Sequence, residues 1–155
     1  MPDTSQPPHR EPERRPPLRH ALRSASVPAL AAVAVGGAIG ALARYGLTVA
    51  FPASPGTFPL ATFTANTLGG LLIGVLMITV TEVAPGLGRI RPFVGVGILG
   101  GFTTFSTYIL DIGRAANAGA TALAVVYAFA TMAAALLAAA LGMFATRRLL
   151  VRRRA

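Results

Sequence analysis

The chain has 155 residues, 54% of them hydrophobic and only 12% charged, with a mean hydropathy of +0.63. A soluble domain of this size needs more polar surface, so the composition points to a membrane. The formal net charge is +9, every basic residue is arginine, and the absence of cysteine excludes disulfides, thiolate nucleophiles and cysteine-based metal sites.

The first 26 residues are rich in proline and arginine, with almost nothing apolar before Leu18. They read as a disordered basic leader. They do not read as a signal peptide, because no small-residue cleavage site follows a short apolar core. Both histidines, His9 and His20, lie in this leader, which leaves none for a proton relay within the membrane.

Four apolar stretches follow, at about 27–51, 60–83, 93–112 and 120–145. Each has the roughly 20 residues that a helix needs to cross a bilayer core of about 30 Å. The connections at 52–59, 85–92 and 113–119 are rich in proline or glycine and too short to hold a folded module. The expected architecture is an all-α membrane protein with four transmembrane helices in one domain, residues 27–146, followed by a basic tail at 147–155.

In the first helix, Gly36, Gly40 and Arg44 recur at spacing four, with Gly37 and Ala41 alongside. Small residues at this spacing let helix backbones approach closely in lipid. Arg44 is the one strong charge set inside a span. It reads as structural: it snorkels to the interface, pairs with Asp111 or Glu82, or bonds to carbonyls of a partner.

The second helix carries Thr62, Asn66, Gly70 and Gly74 at the same spacing. A carboxamide in hydrocarbon needs hydrogen-bond partners. Asn66 either staples two helices or offers its amide hydrogens to something passing through, and the pattern leaves both open.

The third span contains Gly100-Gly101-Phe102-Thr103-Thr104-Phe105-Ser106-Thr107-Tyr108. Two glycines and four hydroxyl residues make poor helix. A helix broken at mid-membrane leaves backbone groups that lipid cannot satisfy, so they must face protein, water or an ion. The run points to a transport site. The plainer alternative is a glycine kink with threonines satisfying the backbone.

The fourth helix is mostly alanine and leucine. Tyr127 and Thr131 share a face, and the next position on it, Ala135, is apolar. Tyr127 reads as an interfacial aromatic, and Thr131 as bonded to its own helix carbonyls.

Twelve of the fourteen arginines fall before the first helix, between the second and third, or after the fourth; Arg114 alone falls on the other side, and Arg44 is in-span. The positive-inside rule then places both termini in the cytoplasm. Such arginine-rich ends are expected to meet anionic lipid headgroups rather than nucleic acid.

Together, Gly36-Gly37-x-x-Gly40-Ala41-x-x-Arg44-Tyr45, Thr64-x-Asn66-x-x-Gly69 and Gly100-Gly101-Phe102-Thr103-Thr104-Phe105-Ser106-Thr107 closely resemble the Fluc (CrcB) family of fluoride channels. The resemblance covers residues 30–145, including helix count and loop lengths. It implies an antiparallel, dual-topology-type dimer of four-helix subunits with two pores, set in the plasma membrane (the bacterial inner membrane) and passively exporting fluoride. It implies that Asn66 lines the pore, that Phe105 and Tyr108 are the pore's aromatic pair, and that Ser106 and Thr107 add hydroxyls. Tyr127 and Thr131 match a polar track whose third hydroxyl position is Ala135 here. Backbone carbonyls of Gly100 and Thr103 are implied to hold a structural Na⁺ at the dimer interface. Asp111 fills a position where the family commonly has glutamate. Tyr108, where the family has phenylalanine, and Ala135 are departures.

The residue chemistry agrees. Fluoride is small and strongly hydrated, so a pore must replace its water with donors, which Asn N–H₂ and Ser/Thr O–H supply. Aromatic ring edges carry partial positive charge. A lysine- or arginine-lined pore would hold a small anion too tightly to conduct.

A small proton-coupled exporter is the alternative outside this family, but it needs a mid-membrane carboxylate, and Glu82 and Asp111 fall at helix ends. A non-conducting partner subunit is the alternative within it. The arginine bias bears on that, since a homodimer of opposed subunits needs insertion both ways, whereas a one-way chain needs an oppositely oriented paralogue. No nucleophile–base pair, metal cluster or phosphate loop suggests an enzyme.

Overall fold

The computed structural model describes residues 27–84, 86–87 and 90–151. The basic leader, Arg89 and the last four residues lie outside this range. Helix α1 spans Val27–Ala50, and α2 spans Leu60–Ile78 and continues in wider π-helical turns over Thr79–Val83. Helix α3 comprises π-type turns over Pro92–Leu99 and the short stretch Gly100–Phe102; α4 is Ser106–Asn117. Helix α5 is Thr121–Thr146 and runs on through Arg147–Val151 in π-type turns. Among the described residues there are no strands.

Among the described residues, four segments are long and apolar enough to cross a membrane: Val27–Ala50, Leu60–Val83, Pro92–Asn117 and Thr121–Leu150. The third combines α3 and α4. Only 11 to 22% of each span's most apolar window is buried within the subunit. Most of the apolar surface therefore faces outward, as it does when lipid or a second subunit is the solvent.

The connections are set by turn chemistry. Pro55-Gly56 makes a tight turn in which Thr57 N–H donates to Ser54 O at 3.1 Å, with Gly56 at φ +77°. The last turn begins later than expected from Gly113, because α4 continues to Asn117. Gly119, at φ +77°, ends it: Gly119 N–H returns to Ala116 O and Ala120 N–H to Ala115 O, a Schellman cap.

Helix pairs meet backbone to backbone. A Cβ on Gly36 would overlap Phe93 O, and one on Gly40 would overlap Ile98 O and sit 2.8 Å from Phe102 N. From the other side, Gly97 and Gly101 press on Gly36 and Gly37. These four-residue spacings seat α1 on α3. Likewise α2 lies on α5, where Gly70 and Gly74 face the carbonyls of Ala135 and Ala139, and Gly142 faces that of Leu71. At one end of this pair, Arg147 Nε donates to Glu82 Oε2 at 3.0 Å, and Arg148 stacks over Phe144.

Candidate functional site

Residues 103–105 leave the helical path between α3 and α4, and Thr103 is extended at φ −80°, ψ 158°. In an unbroken helix, Thr104 N–H would donate to Gly100 O, Phe105 N–H to Gly101 O and Thr107 N–H to Thr103 O. Here each changes hands. Thr104 N–H donates to Asn66 Oδ1 at 2.8 Å, and Asn66 Nδ2 donates back to Thr104 O at 2.9 Å. Arg44 Nε donates to Gly101 O at 3.2 Å. Thr107 N–H donates to Thr104 Oγ1 at 3.2 Å, so the Thr104 hydroxyl, one residue before the N-cap Phe105, satisfies a donor in the first turn of α4. The carbonyls of Gly100 and Thr103 are thereby parted from those helical donors.

Asn66 is thus a staple, and the bond to Thr104 O uses one of its two amide hydrogens. Arg44 pairs with neither acid. Glu82 is taken by Arg147, and buried Asp111 by Thr62 and Arg114. Arg44 instead caps a carbonyl of its own chain, one that exists as a free acceptor only because the helix is interrupted.

A cleft of about 560 Å³ opens at the interruption, lined by Asn66, Thr103, Thr104, Phe105, Tyr108 and Thr131, with Gly100 and Ala135 also in its wall. Ser106, Thr107 and Tyr127 do not line it. Ser106 is exposed and 3.4 Å from Thr104 Oγ1, while the Thr107 hydroxyl accepts from Thr104 Oγ1 at 3.1 Å.

The aromatic residues form a graded series. Phe105 is 72% exposed and Tyr108 6%, with ring centroids 5.8 Å apart. Tyr108 meets Tyr127 at 5.7 Å, and Phe58 from the first loop closes edge-on over Tyr127 at 5.3 Å. The Tyr108 hydroxyl donates to Ala128 O at 2.7 Å.

Two expectations for α5 are corrected. Tyr127 is fully buried rather than interfacial, because Phe58 folds over it. Thr131 does not bond to its own helix: its Oγ1 and the Tyr127 hydroxyl are buried without a hydrogen-bond partner among the described residues. The Tyr127 hydroxyl faces Thr62 and Thr131 without reaching bonding geometry with either.

Asp111 binds α4 to α2. Its Oδ2 accepts from Thr62 Oγ1 at 2.7 Å and its Oδ1 from Arg114 at 3.3 Å. It borders a second cleft of about 510 Å³ that also includes Arg114, Asn117, Ser54 and Thr57. Thr62 and Thr104 also hold the site together, a role that the sequence alone does not assign to them. The signals were present: Thr62 lies one turn before Asn66 on the same stripe, and Thr104 lies inside the hydroxyl run.

The first cleft thus presents neutral hydroxyl and amide groups and aromatic rings beside an interrupted helix. Residues 31–143 match the family model described as CrcB-like protein, Camphor Resistance (CrcB). The chain belongs to the CrcB family. A CrcB relative from Streptomyces avermitilis, named Fluoride-specific ion channel FluC 2, is 46% identical over 141 residues, covering 91% of this chain and 89% of its own. Fluoride-specific ion channel FluC 2 of Thermobifida fusca is 49% identical over 127 residues, covering 82% and 94%. Fluoride-specific ion channel FluC 1 of Streptomyces coelicolor is 44% identical, covering 86% of each chain. With four membrane-spanning helices, this CrcB chain is a multi-pass membrane protein.

Proposed function

We propose that this chain is a subunit of a fluoride-specific channel that passively exports fluoride from the cytoplasm and so lowers its toxicity. The near-full-length match to relatives named as fluoride-specific channels carries this reading. The driving force needs no fuel. Fluoride in acidic surroundings enters cells as neutral HF and is trapped in the less acidic interior as F⁻. An interior-negative potential then pushes the anion out with about 2.3 kcal/mol per 100 mV.

In this reading the ion passes the cleft at the interruption, which lies at mid-membrane. The second Asn66 amide hydrogen, the edges of Phe105 and Tyr108, and the Thr131 hydroxyl each offer a weak neutral contact in place of water. The buried, partnerless hydroxyls of Thr131 and Tyr127 are donors in waiting, since unsatisfied buried hydroxyls in native proteins call for a ligand or water. Ser106 and Thr107 act at the pore's edge.

The subunit works as an antiparallel dimer, which covers part of its outward apolar surface. Gly100 and Thr103 fit the family's structural Na⁺. Their carbonyls have lost the Thr104 and Thr107 N–H donors, and carbonyl oxygens are hard ligands suited to such an ion. One pair from each subunit would supply four oxygens. A bound ion would give the lone pairs of these carbonyls a partner and would link the two subunits.

The arginine distribution favours one-way insertion into the plasma membrane with both termini cytoplasmic. The second subunit is then an oppositely oriented paralogue, and the dimer a heterodimer. Reporter fusions at the C-terminus test this: a cytoplasmic signal alone is expected, and equal signals from both sides would favour a homodimer. The function itself is tested by growth. Cells lacking fluoride export should tolerate fluoride again when given this chain with its paralogue, and failure to rescue would refute it.

A further inference from the structure

Tyr108 stands in the first turn of α4 and is one wall of the cleft, yet its side chain is almost wholly buried. Its hydroxyl reaches across to α5 and donates to Ala128 O at 2.7 Å. That carbonyl lies within α5, so it also accepts a helical N–H and the tyrosine is an added donor. The ring is therefore held at three places: by its own helix, by the Tyr127 ring at 5.7 Å, and by the hydroxyl bond at its tip. Its neighbour Phe105, 72% exposed in the subunit, has no such tether.

We infer that the Tyr108 hydroxyl is a latch that limits how fast an anion passes between Phe105 and Tyr108. This rests on the fluoride-channel reading. Fluoride meets an aromatic side chain at the ring edge, where the partial positive charge lies. The two rings are tilted by 41° at 5.8 Å, so the ion must turn or shift a ring to present edges on both sides. A phenylalanine would resist only through packing. Tyr108 must also break the bond to Ala128 O or carry its hydroxyl away from its acceptor inside a buried site. The hydroxyl points at the α5 backbone, so in this arrangement it is a tether and contributes no donor to the cleft.

Deleting the hydroxyl should therefore speed passage. The net worth of one neutral hydrogen bond corresponds to about three- to tenfold in a rate. Selectivity should not change, because the removed group does not contact the ion.

The test is fluoride efflux from liposomes, followed with a fluoride electrode and counted per channel. It compares the full chain with its paralogue against the Tyr108→Phe variant, with Tyr45→Phe as a control on an exposed α1 tyrosine outside the cleft. Faster efflux in Tyr108→Phe only, with the fluoride-over-chloride ratio unchanged, supports the latch. Equal or slower efflux overturns it, slower efflux being the result if the hydroxyl donates to the ion. Equal acceleration in both variants also overturns it, as a general loosening. If wild type and Tyr108→Phe both pass no fluoride, the channel reading falls and the latch falls with it. If wild type conducts and the rates match, only the latch falls.

Discussion

Asn66 and Thr104 are bound to each other twice: the carboxamide donates to Thr104 O at 2.9 Å and accepts from Thr104 N–H at 2.8 Å. One side chain on α2 thus replaces both helical bonds of a residue in the interruption. Asn66→Ala would strand a donor and an acceptor in a partly buried site. Each costs about 1–3 kcal/mol, so a loss of roughly 2–6 kcal/mol is expected, together with loss of fluoride flux. Asn66→Asp keeps the acceptor but not the donor and adds a negative charge to the cleft. It should be milder in thermal unfolding than Asn66→Ala yet equally inactive in efflux. An active Asn66→Asp would contradict the role given to the amide hydrogens.

Gly40 faces the backbone of α3, where a methyl group would overlap Ile98 O, whereas a Cβ on Gly46, on the same helix, meets nothing within 4 Å. Gly40→Ala should force α1 and α3 apart and cost about 1–3 kcal/mol or more. Gly46→Ala should be neutral or slightly stabilising through helix propensity. Thermal unfolding in detergent compares them. Equal effects would mean that the α1–α3 seam is not the tight contact described.

Asp111 accepts the Thr62 hydroxyl within the subunit while its partner Arg114 is largely exposed. The two bonds should therefore differ in worth. Arg114→Gln should cost less than about 1 kcal/mol, as exposed ion pairs do. Asp111→Leu, which strands the buried Thr62 hydroxyl and adds bulk, should cost about 2–4 kcal/mol. Unfolding measurements in which the two variants match would show that Asp111 acts mainly through its arginine.

Arg44 holds the Gly101 carbonyl freed by the interruption. Arg44→Lys keeps the charge but loses the fixed guanidinium geometry, and Arg44→Leu loses both. A graded loss of stability is expected, about 1 kcal/mol for lysine and 2–3 kcal/mol for leucine, as when a charged donor to a carbonyl is removed. No loss in Arg44→Leu would mean that this carbonyl finds water instead.

The four spans could be read from the sequence because hydropathy over some twenty residues is a bulk property that no single contact decides. The glycines at spacing four could be read for a similar reason: only close backbone approach uses them that way. What Arg44 bonds to could not, since its acceptor, Gly101 O, lies 57 positions away and is freed only by the three residues just beyond it that leave the helix. The depth of Tyr127 was hidden too. An aromatic near a helix end looks interfacial until Phe58 folds over it from a loop. Gly113 reads as a turn residue in the sequence, whereas α4 continues to Asn117 and is closed off by Gly119 at positive φ. For Asn66, polarity in a span signalled importance but not that Thr104 would take both ends of the carboxamide.

We propose that this CrcB-family chain conducts fluoride through the cleft where Asn66 fastens the interrupted helix. Efflux from liposomes holding the purified chain, alone and with its oppositely oriented paralogue, measures it most directly. Fast fluoride release with negligible chloride release is expected, present with the paralogue and abolished by Asn66→Asp. Absence of fluoride release in both preparations, or release that ignores the Asn66 substitution, would contradict it.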